Sequence, residues 1–245
     1  MYRRKLSILA ILLCIVFSFV CTTVKIVPSD YVVQEKTMAL ESGLTIRYTL
    51  ALPSSLSSEQ PYPLILALHY GGKVTPYYGK SYLMNLVIPA LRELDAIMVA
   101  PDCPGDGWTD VASEKATLEL LEKIQKDYPI DRQRLVVTGY SSGAFGTWNL
   151  VFKHPSLFSA AIPVAGMHPK GIIINKTSTS FWVIHSRDDE LFPFESVRRF
   201  IQFCKSQGLT VKFRPVANIS HYEFNKYILA LKEAVPWVKS LWERE

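Results

Sequence analysis

The sequence predicts an α/β domain: one mostly parallel central sheet with helices on both faces. Short, continuously apolar runs recur along the chain, as in strands buried on both sides, and segments with one apolar face at helical spacing separate them. Size agrees, because 245 residues with 49% hydrophobic content suit a single generous domain, and α/β domains routinely run past ~200 residues. No second core and no long linker interrupt the pattern.

The first 27 residues stand apart from that pattern. Arg3, Arg4 and Lys5 precede an apolar run from Leu6 to Val20, followed by Thr22, Thr23 and the helix-disfavouring Pro28. About 15 apolar residues fall short of the ~20 that span a bilayer, which favours a secretory signal over a membrane helix. Cys21 after Ser18-Phe19-Val20 loosely resembles a bacterial lipoprotein cleavage site, although Val20 is bulkier than the usual preceding residue. Residues 1–27 are therefore expected to be a signal peptide, or a lipoprotein or membrane anchor, of an exported protein whose folded domain is 28–245. Arg3, Arg4, Lys5 and Lys25 carry four of the chain's five net positive charges. The body is close to neutral, so no nucleic-acid partner is expected.

Within the body, 45–50 is a short strand candidate, 53–63 a Pro- and Ser-rich loop, and the apolar 64–68 a buried strand. A helix over 81–93, a strand over 96–100 and a loop over 101–111 follow. In the helix at 113–127, Leu118, Leu121, Ile124 and Tyr128 recur at steps of three and four and define one apolar face. Next come a strand at 134–138, a helix at 143–153, and strands at 160–164 and 181–185. The helix at 194–206 turns Val197, Phe200, Ile201 and Cys204 inward, which leaves Arg198, Arg199 and Lys205 on an ordinary outer surface. A strand at 210–216 and a helical region from 222 complete the chain, with Pro236 opening a separate last helix.

GYSSG, at 139–143, lies where the strand pattern gives way to the helix pattern. In a G-x-S-x-G turn the chain bends so sharply that the middle serine takes a strained backbone conformation, and the flanking glycines remove side chains that would collide. Ser141 is thereby set at the top of the sheet. The following helix points its N-terminal amides and positive dipole end at the same spot, where negative charge builds when a hydroxyl adds to a carbonyl.

A serine hydroxyl is a weak nucleophile at neutral pH and needs a histidine base, itself oriented by a carboxylate. In this architecture the chain order is serine, acid, histidine, each on a loop past a strand end. The strand at 181–185 runs into Ser186-Arg187-Asp188-Asp189-Glu190, and Asp189 is the expected acid with Asp188 as alternate; capping of the helix near Phe194 suits Glu190 better. Among five histidines, His69 and His185 sit at strand ends, and His154 and His168 precede the acid; only His221 satisfies the order.

Two backbone amides are expected to hold the oxyanion. One is that of Ser142, the residue after the nucleophile. The other lies in the glycine turn after the strand at 64–68, where Gly71 is preferred and Tyr70 competes. His69 is expected to support this loop by hydrogen bonding rather than to act as a base.

GYSSGAFGTW, LALHYGG, APDCPGDGW, and HSRDDELFP followed by SHYEF resemble the α/β-hydrolase superfamily. More narrowly, they resemble secreted esterases related to polyhydroxyalkanoate depolymerases, feruloyl esterases and predicted peptidases. The likeness spans roughly residues 45–242. It implies a single-domain α/β-hydrolase fold with about eight strands and no large lid, catalytic Ser141, Asp189 and His221, and neither cofactor nor metal. Ser142 and Ala144 stand where many relatives have Met and Gly, and Tyr70 and Ser186 replace glycines of LHGG and HGxxD; Tyr70 thus brings a ring to the oxyanion loop.

Other candidates carry less. Asp102, Asp106 and Asp110 lack the EF-hand spacing and read as solvated loop carboxylates. Cys103 and Cys204 fit isolated thiols or a bridge equally. Trp108 either leans over the mouth of the site or packs at the core edge. The expected activity is acyl transfer from a small or polymer-linked carboxylic ester to water. A secreted peptidase acting on short peptides, or a non-catalytic binding protein of the same fold, are the alternatives.

Overall fold

The computed structural model describes residues 30–243, so the expected targeting segment, with Cys21, lies outside the described residues. Its centre is one eight-stranded sheet in the order β1-β2-β4-β3-β5-β6-β7-β8. The strands are β1 (Tyr31–Ala39), β2 (Thr45–Pro53), β3 (Tyr62–Leu68), β4 (Ile97–Pro101), β5 (Ile130–Tyr140), β6 (Ala160–Val164), β7 (Ser180–Ser186) and β8 (Val211–Val216). From β4 to β8 the pairing is parallel, while β1 pairs antiparallel with β2 and β2 with β4. Every residue of β3, β4 and β6 is buried, as continuous apolar runs require. In the edge strand β1 only Tyr31 is buried, and the residues after it are half-buried or exposed. Its YVVQEKTMA sequence lacks an apolar run, which is why the strand was not foreseen.

The helical segments are α1 (Gly79–Tyr82), α2 (Ile88–Leu91), α3 (Val111–Asp127), α4 (Ser142–Lys153), α5 (Phe194–Ser206), α6 (Ile228–Lys232) and α7 (Ala234–Trp242). They cover both faces of the sheet. On one side Tyr82, Leu86, Leu231 and Val235 pack with Ile65 and Ala67 of β3. On the other, Leu120, Trp148, Phe152 and Ile201 pack with Leu64, Leu66 and Leu68. Alternate residues of one buried strand thus feed two cores, each fully buried large apolar side chain stabilising by about 1.5–3 kcal/mol.

Several elements depart from the sequence reading for identifiable reasons. The helix expected over 81–93 is four pieces: α1, a π turn at Leu83–Val87, α2, and a 3₁₀ turn at Arg92–Leu94. Pro89 has no N–H to give and its ring crowds the carbonyl one turn back, so the preceding turn widens, with Ile88 N–H bonded to Leu83 O. In α3 the buried face runs through Ala116, Thr117, Leu120, Leu121 and Ile124, while Leu118 lies at its margin. Pro236 falls in the first turn of α7, where amides lack intrahelical partners anyway.

Two of the three loop aspartates are structural rather than solvated. Asp102 is buried and accepts from Arg47 Nε at 3.1 Å, Tyr77 N at 2.8 Å and Gly79 N at 3.4 Å, which fastens the start of α1 to the end of β4. Asp110 is the N-cap of α3, accepting from Ser113 N at 2.7 Å. Asp106 alone is exposed. Cys103 and Cys204 are both buried and unbridged.

The turn from β5 into α4 is the tightest close approach in the sheet's upper edge. A β carbon on Gly139 would overlap the carbonyl oxygen of Gly143, and one on Gly143 would overlap the carbonyl oxygen of Leu68 in β3. Both obstacles are backbone, so neither yields by a rotamer change. Gly143→Ala is expected to lower stability by at least about 1–3 kcal/mol, read as a lower urea midpoint at unchanged slope. Gly107→Ala, whose β carbon meets nothing within 4 Å, is expected to stay within about 0.5 kcal/mol of the parent.

Candidate active site

Ser141 joins β5 to α4 with φ 53° and ψ −113°, a conformation that costs a non-glycine residue about 1–3 kcal/mol. Neighbouring backbone holds it there. Its N–H donates to Val164 O of β6 at 3.0 Å, and its carbonyl accepts from Ala144 N at 2.9 Å. Ser142 is the first residue of α4, so helix geometry leaves its amide without an intrahelical acceptor. The side chain of Ser141 is thus delivered beside a fixed donor.

His221 follows β8 and Asp189 follows β7, and the two meet over the end of the sheet. Ser141 Oγ lies 2.9 Å from His221 Nε2, and His221 Nδ1 lies 2.8 Å from Asp189 Oδ2. With the Nδ1 proton directed at the carboxylate, Nε2 is left to accept from the Ser141 hydroxyl. His221 is 4% exposed and Asp189 8%, so the line from carboxylate to hydroxyl is shielded from water for most of its length. The other carboxylate oxygen, Asp189 Oδ1, accepts from Leu191 N at 3.0 Å and Phe192 N at 2.7 Å. Those two amides fix the acid in a tight turn, and the Phe192 ring packs edge-on against the imidazole.

Asp188, the alternate acid, is exposed and accepts instead from Asn218 N at 2.6 Å, away from the histidine ring. Glu190 does not cap α5, whose N-cap position is Pro193. Its carboxylate accepts from His221 N at 2.8 Å and from the Ser220 hydroxyl. The His221 amide above all holds the Glu190 carboxyl below the usual range. The carbonyl of His221 accepts from Tyr140 Oη at 2.6 Å. Burial pushes the Tyr140 phenol well up, so it stays protonated as a donor. Neither contact was foreseen, since both depend on the packing of segments far apart in sequence.

The glycine turn after β3 reaches the same place. A β carbon on Gly71 would sit 3.5 Å from that of Ser142, in van der Waals contact. His69 is buried, and burial pushes its pKa down, favouring the neutral ring. Its Nδ1 donates to Tyr70 O at 2.7 Å while Nε2 accepts from Cys103 N at 3.1 Å. Anchoring the Tyr70 carbonyl also sets the direction of the Gly71 N–H, since the two are antiparallel across one trans peptide. Trp108, 3% exposed, donates from Nε1 to His69 O at 2.8 Å, so it braces this loop.

Two clefts open around this turn, one lined by Ser141 and the other by Ser142. One, of about 450 Å³, is walled by Tyr70, Tyr140, Leu191, Tyr222 and Phe224. The Tyr70 ring, 5.4 Å from both Tyr78 and Phe224, narrows it from the side of the glycine turn after β3. The other, of about 510 Å³, opens beyond Ser142 between Trp108, Phe145, Met167 and Lys170. Among the described residues no group of three or more His, Cys, Asp or Glu side chains is placed to hold a metal ion.

No family model matches the chain. In sequence it is similar to a probable feruloyl esterase C of Aspergillus niger, 24% identical over 160 residues, or 60% of this chain and 56% of that protein. A probable feruloyl esterase C of Aspergillus terreus is 26% identical over 171 residues, or 63% and 60%. A probable acetylxylan esterase A of Aspergillus flavus is 27% identical over 143 residues, or 53% and 44%. The chain thus spans less than two thirds of the length of these curated relatives. Among solved structures, a thermostable esterase superposes with a TM-score of 0.71 at 23% identity, over 86% of this chain and 63% of that one. A ferulic acid esterase does so with 0.71 at 20% identity, over 87% and 100%. An eight-stranded, mostly parallel sheet clad on both faces, with those neighbours, makes this an α/β-hydrolase fold.

Proposed function

We propose that the chain is an exported serine hydrolase that cleaves carboxylic esters through an acyl-enzyme. The observation that carries this reading is the unbroken hydrogen-bonded line Ser141 Oγ, His221 Nε2, His221 Nδ1, Asp189 Oδ2, at 2.9 and 2.8 Å. His221 takes the Ser141 proton as the hydroxyl oxygen adds to the substrate carbonyl, and Asp189 stabilises the imidazolium. The amides of Ser142 and Gly71 receive the oxyanion. Collapse of the tetrahedral adduct expels the alcohol, protonated by His221; water, deprotonated by the same ring, then releases the acid and restores the serine.

The esterase relatives favour an ester over an amide, and the names of the feruloyl and acetylxylan esterases suggest an acyl group carried on a carbohydrate. Two open clefts, one lined by Ser141 and His221 and one by Ser142, suit a substrate that extends beyond its scissile bond. A non-catalytic protein of this fold would have no need to keep serine, histidine and carboxylate in register.

A fluorophosphonate probe tests the chemistry directly. The native chain is expected to be labelled and Ser141→Ala is not, with ester hydrolysis by Ser141→Ala lower by about 10⁶-fold. A folded native chain that stays unlabelled would favour the binding-protein reading. Asp189→Asn is expected to leave the fold intact and lower kcat on a p-nitrophenyl ester by about 10⁴-fold, whereas Asp188→Asn changes it little; equal losses would reassign the acid. Turnover of aminoacyl p-nitroanilides faster than of p-nitrophenyl esters would move the substrate class to peptides.

A further inference from the structure

The side chain of His221 is held by Asp189, but its backbone needs a separate hold. It lies on the loop after β8, the strand at the sheet's far edge, and the loop passes through Asn218 at φ 58°, with no long helix to stiffen it. A bond to the ring alone leaves the main chain free to shift while the ring follows. Two other side chains grip that main chain. Glu190 accepts the His221 N–H at 2.8 Å, and Tyr140 donates its phenol to the His221 carbonyl at 2.6 Å.

The sequence neighbours of these residues explain why the grip matters. Tyr140 immediately precedes Ser141 on the central strand β5, so its bond fixes the His221 backbone relative to the nucleophile's own turn. Glu190 immediately follows Asp189, so its bond fixes the same backbone relative to the acid's turn. The Tyr140 hydroxyl is buried beneath the site, and the Glu190 carboxylate also accepts from Ser220, one residue before the histidine. Neither group lies in the line from carboxylate to hydroxyl.

We infer that Glu190 and Tyr140 are positioning residues, which clamp the catalytic histidine by its two main-chain polar groups and so set the distance from Nε2 to Ser141 Oγ. This inference rests on the serine-hydrolase reading. A displacement of about 1 Å in such a base costs on the order of 10²-fold in rate without weakening substrate binding.

The test compares the full chain with Glu190→Ala, Glu190→Gln and Tyr140→Phe. It uses thermal unfolding, the second-order rate of fluorophosphonate labelling, and kcat and KM on p-nitrophenyl acetate. Glu190→Ala and Tyr140→Phe are expected to be folded and to lose about 10- to 100-fold in labelling rate and in kcat, with KM within about twofold. Glu190→Gln, whose amide oxygen still accepts the His221 N–H, is expected to recover most of the loss seen in Glu190→Ala. Labelling and kcat in Tyr140→Phe and Glu190→Ala within about twofold of the native chain would overturn the clamp while leaving the hydrolase reading intact. So would a Glu190→Gln as slow as Glu190→Ala. If Glu190→Ala does not fold, Tyr140→Phe and Glu190→Gln carry the comparison, a normal rate in Tyr140→Phe overturning the clamp. A native chain that is not labelled at all would overturn the hydrolase reading, and the clamp with it.

Discussion

The carbonyl oxygen of Leu68 occupies the space that a β carbon on Gly143 would need, and the organisation of the site depends on that close approach. Because α4 starts almost against β3, the strand β5 has to turn within a single residue, and Ser141 absorbs the whole bend at φ 53°. The same approach sets the first amide of α4 near the glycine turn that leaves β3, where a β carbon added to Gly71 would meet that of Ser142. One steric condition therefore presents a hydroxyl and places the start of α4 beside it. The cost, about 1–3 kcal/mol of backbone strain, is met by the bonds from Ser141 to Val164 and from Ala144 to Ser141.

A second principle runs through the surrounding loops: polar side chains hold backbone as well as one another. His69 grips Tyr70 and Cys103, Trp108 grips His69, Asp102 grips Tyr77 and Gly79, and Asp189 grips Leu191 and Phe192. Irregular segments have no ladder to pair their amides and carbonyls, so buried side chains take that role. The loops at the upper edge of the sheet are in this way as determinate as its strands. A site whose donors and base are preset loses little to reorganisation when charge develops.

Much of this was legible in the sequence, and what was not has a common cause. The strands β3, β4 and β6 are buried on both faces and appear as unbroken apolar runs. Chain order and strand ends single out Ser141, Asp189 and His221 from the sequence, and the structure brings these three side chains within hydrogen-bonding distance of one another. The edge strand β1 escaped because only Tyr31 is fully buried and polar Gln34, Glu35, Lys36 and Thr37 interrupt its apolar residues. Asp102 read as a loop carboxylate because the partner that accompanies its burial, Arg47, lies 55 residues upstream. Glu190 sits in a run of three acids that looks like one feature, yet Asp188, Asp189 and Glu190 each bind a different atom group of the segment 218–221. Local pattern reports which faces are apolar; it does not report which distant backbone a side chain will meet.

Cys103 and Cys204 lie in the same apolar layer without a bond between them. Burial pushes the Cys204 thiol up to about 12 and raises that of Cys103 as well, so neither forms appreciable thiolate near neutrality. Thiolate is the species that disulfide exchange and most oxidants require. Between Cys103 and Cys204 the described domain is therefore held by packing, with both thiols kept in their protonated, unreactive form.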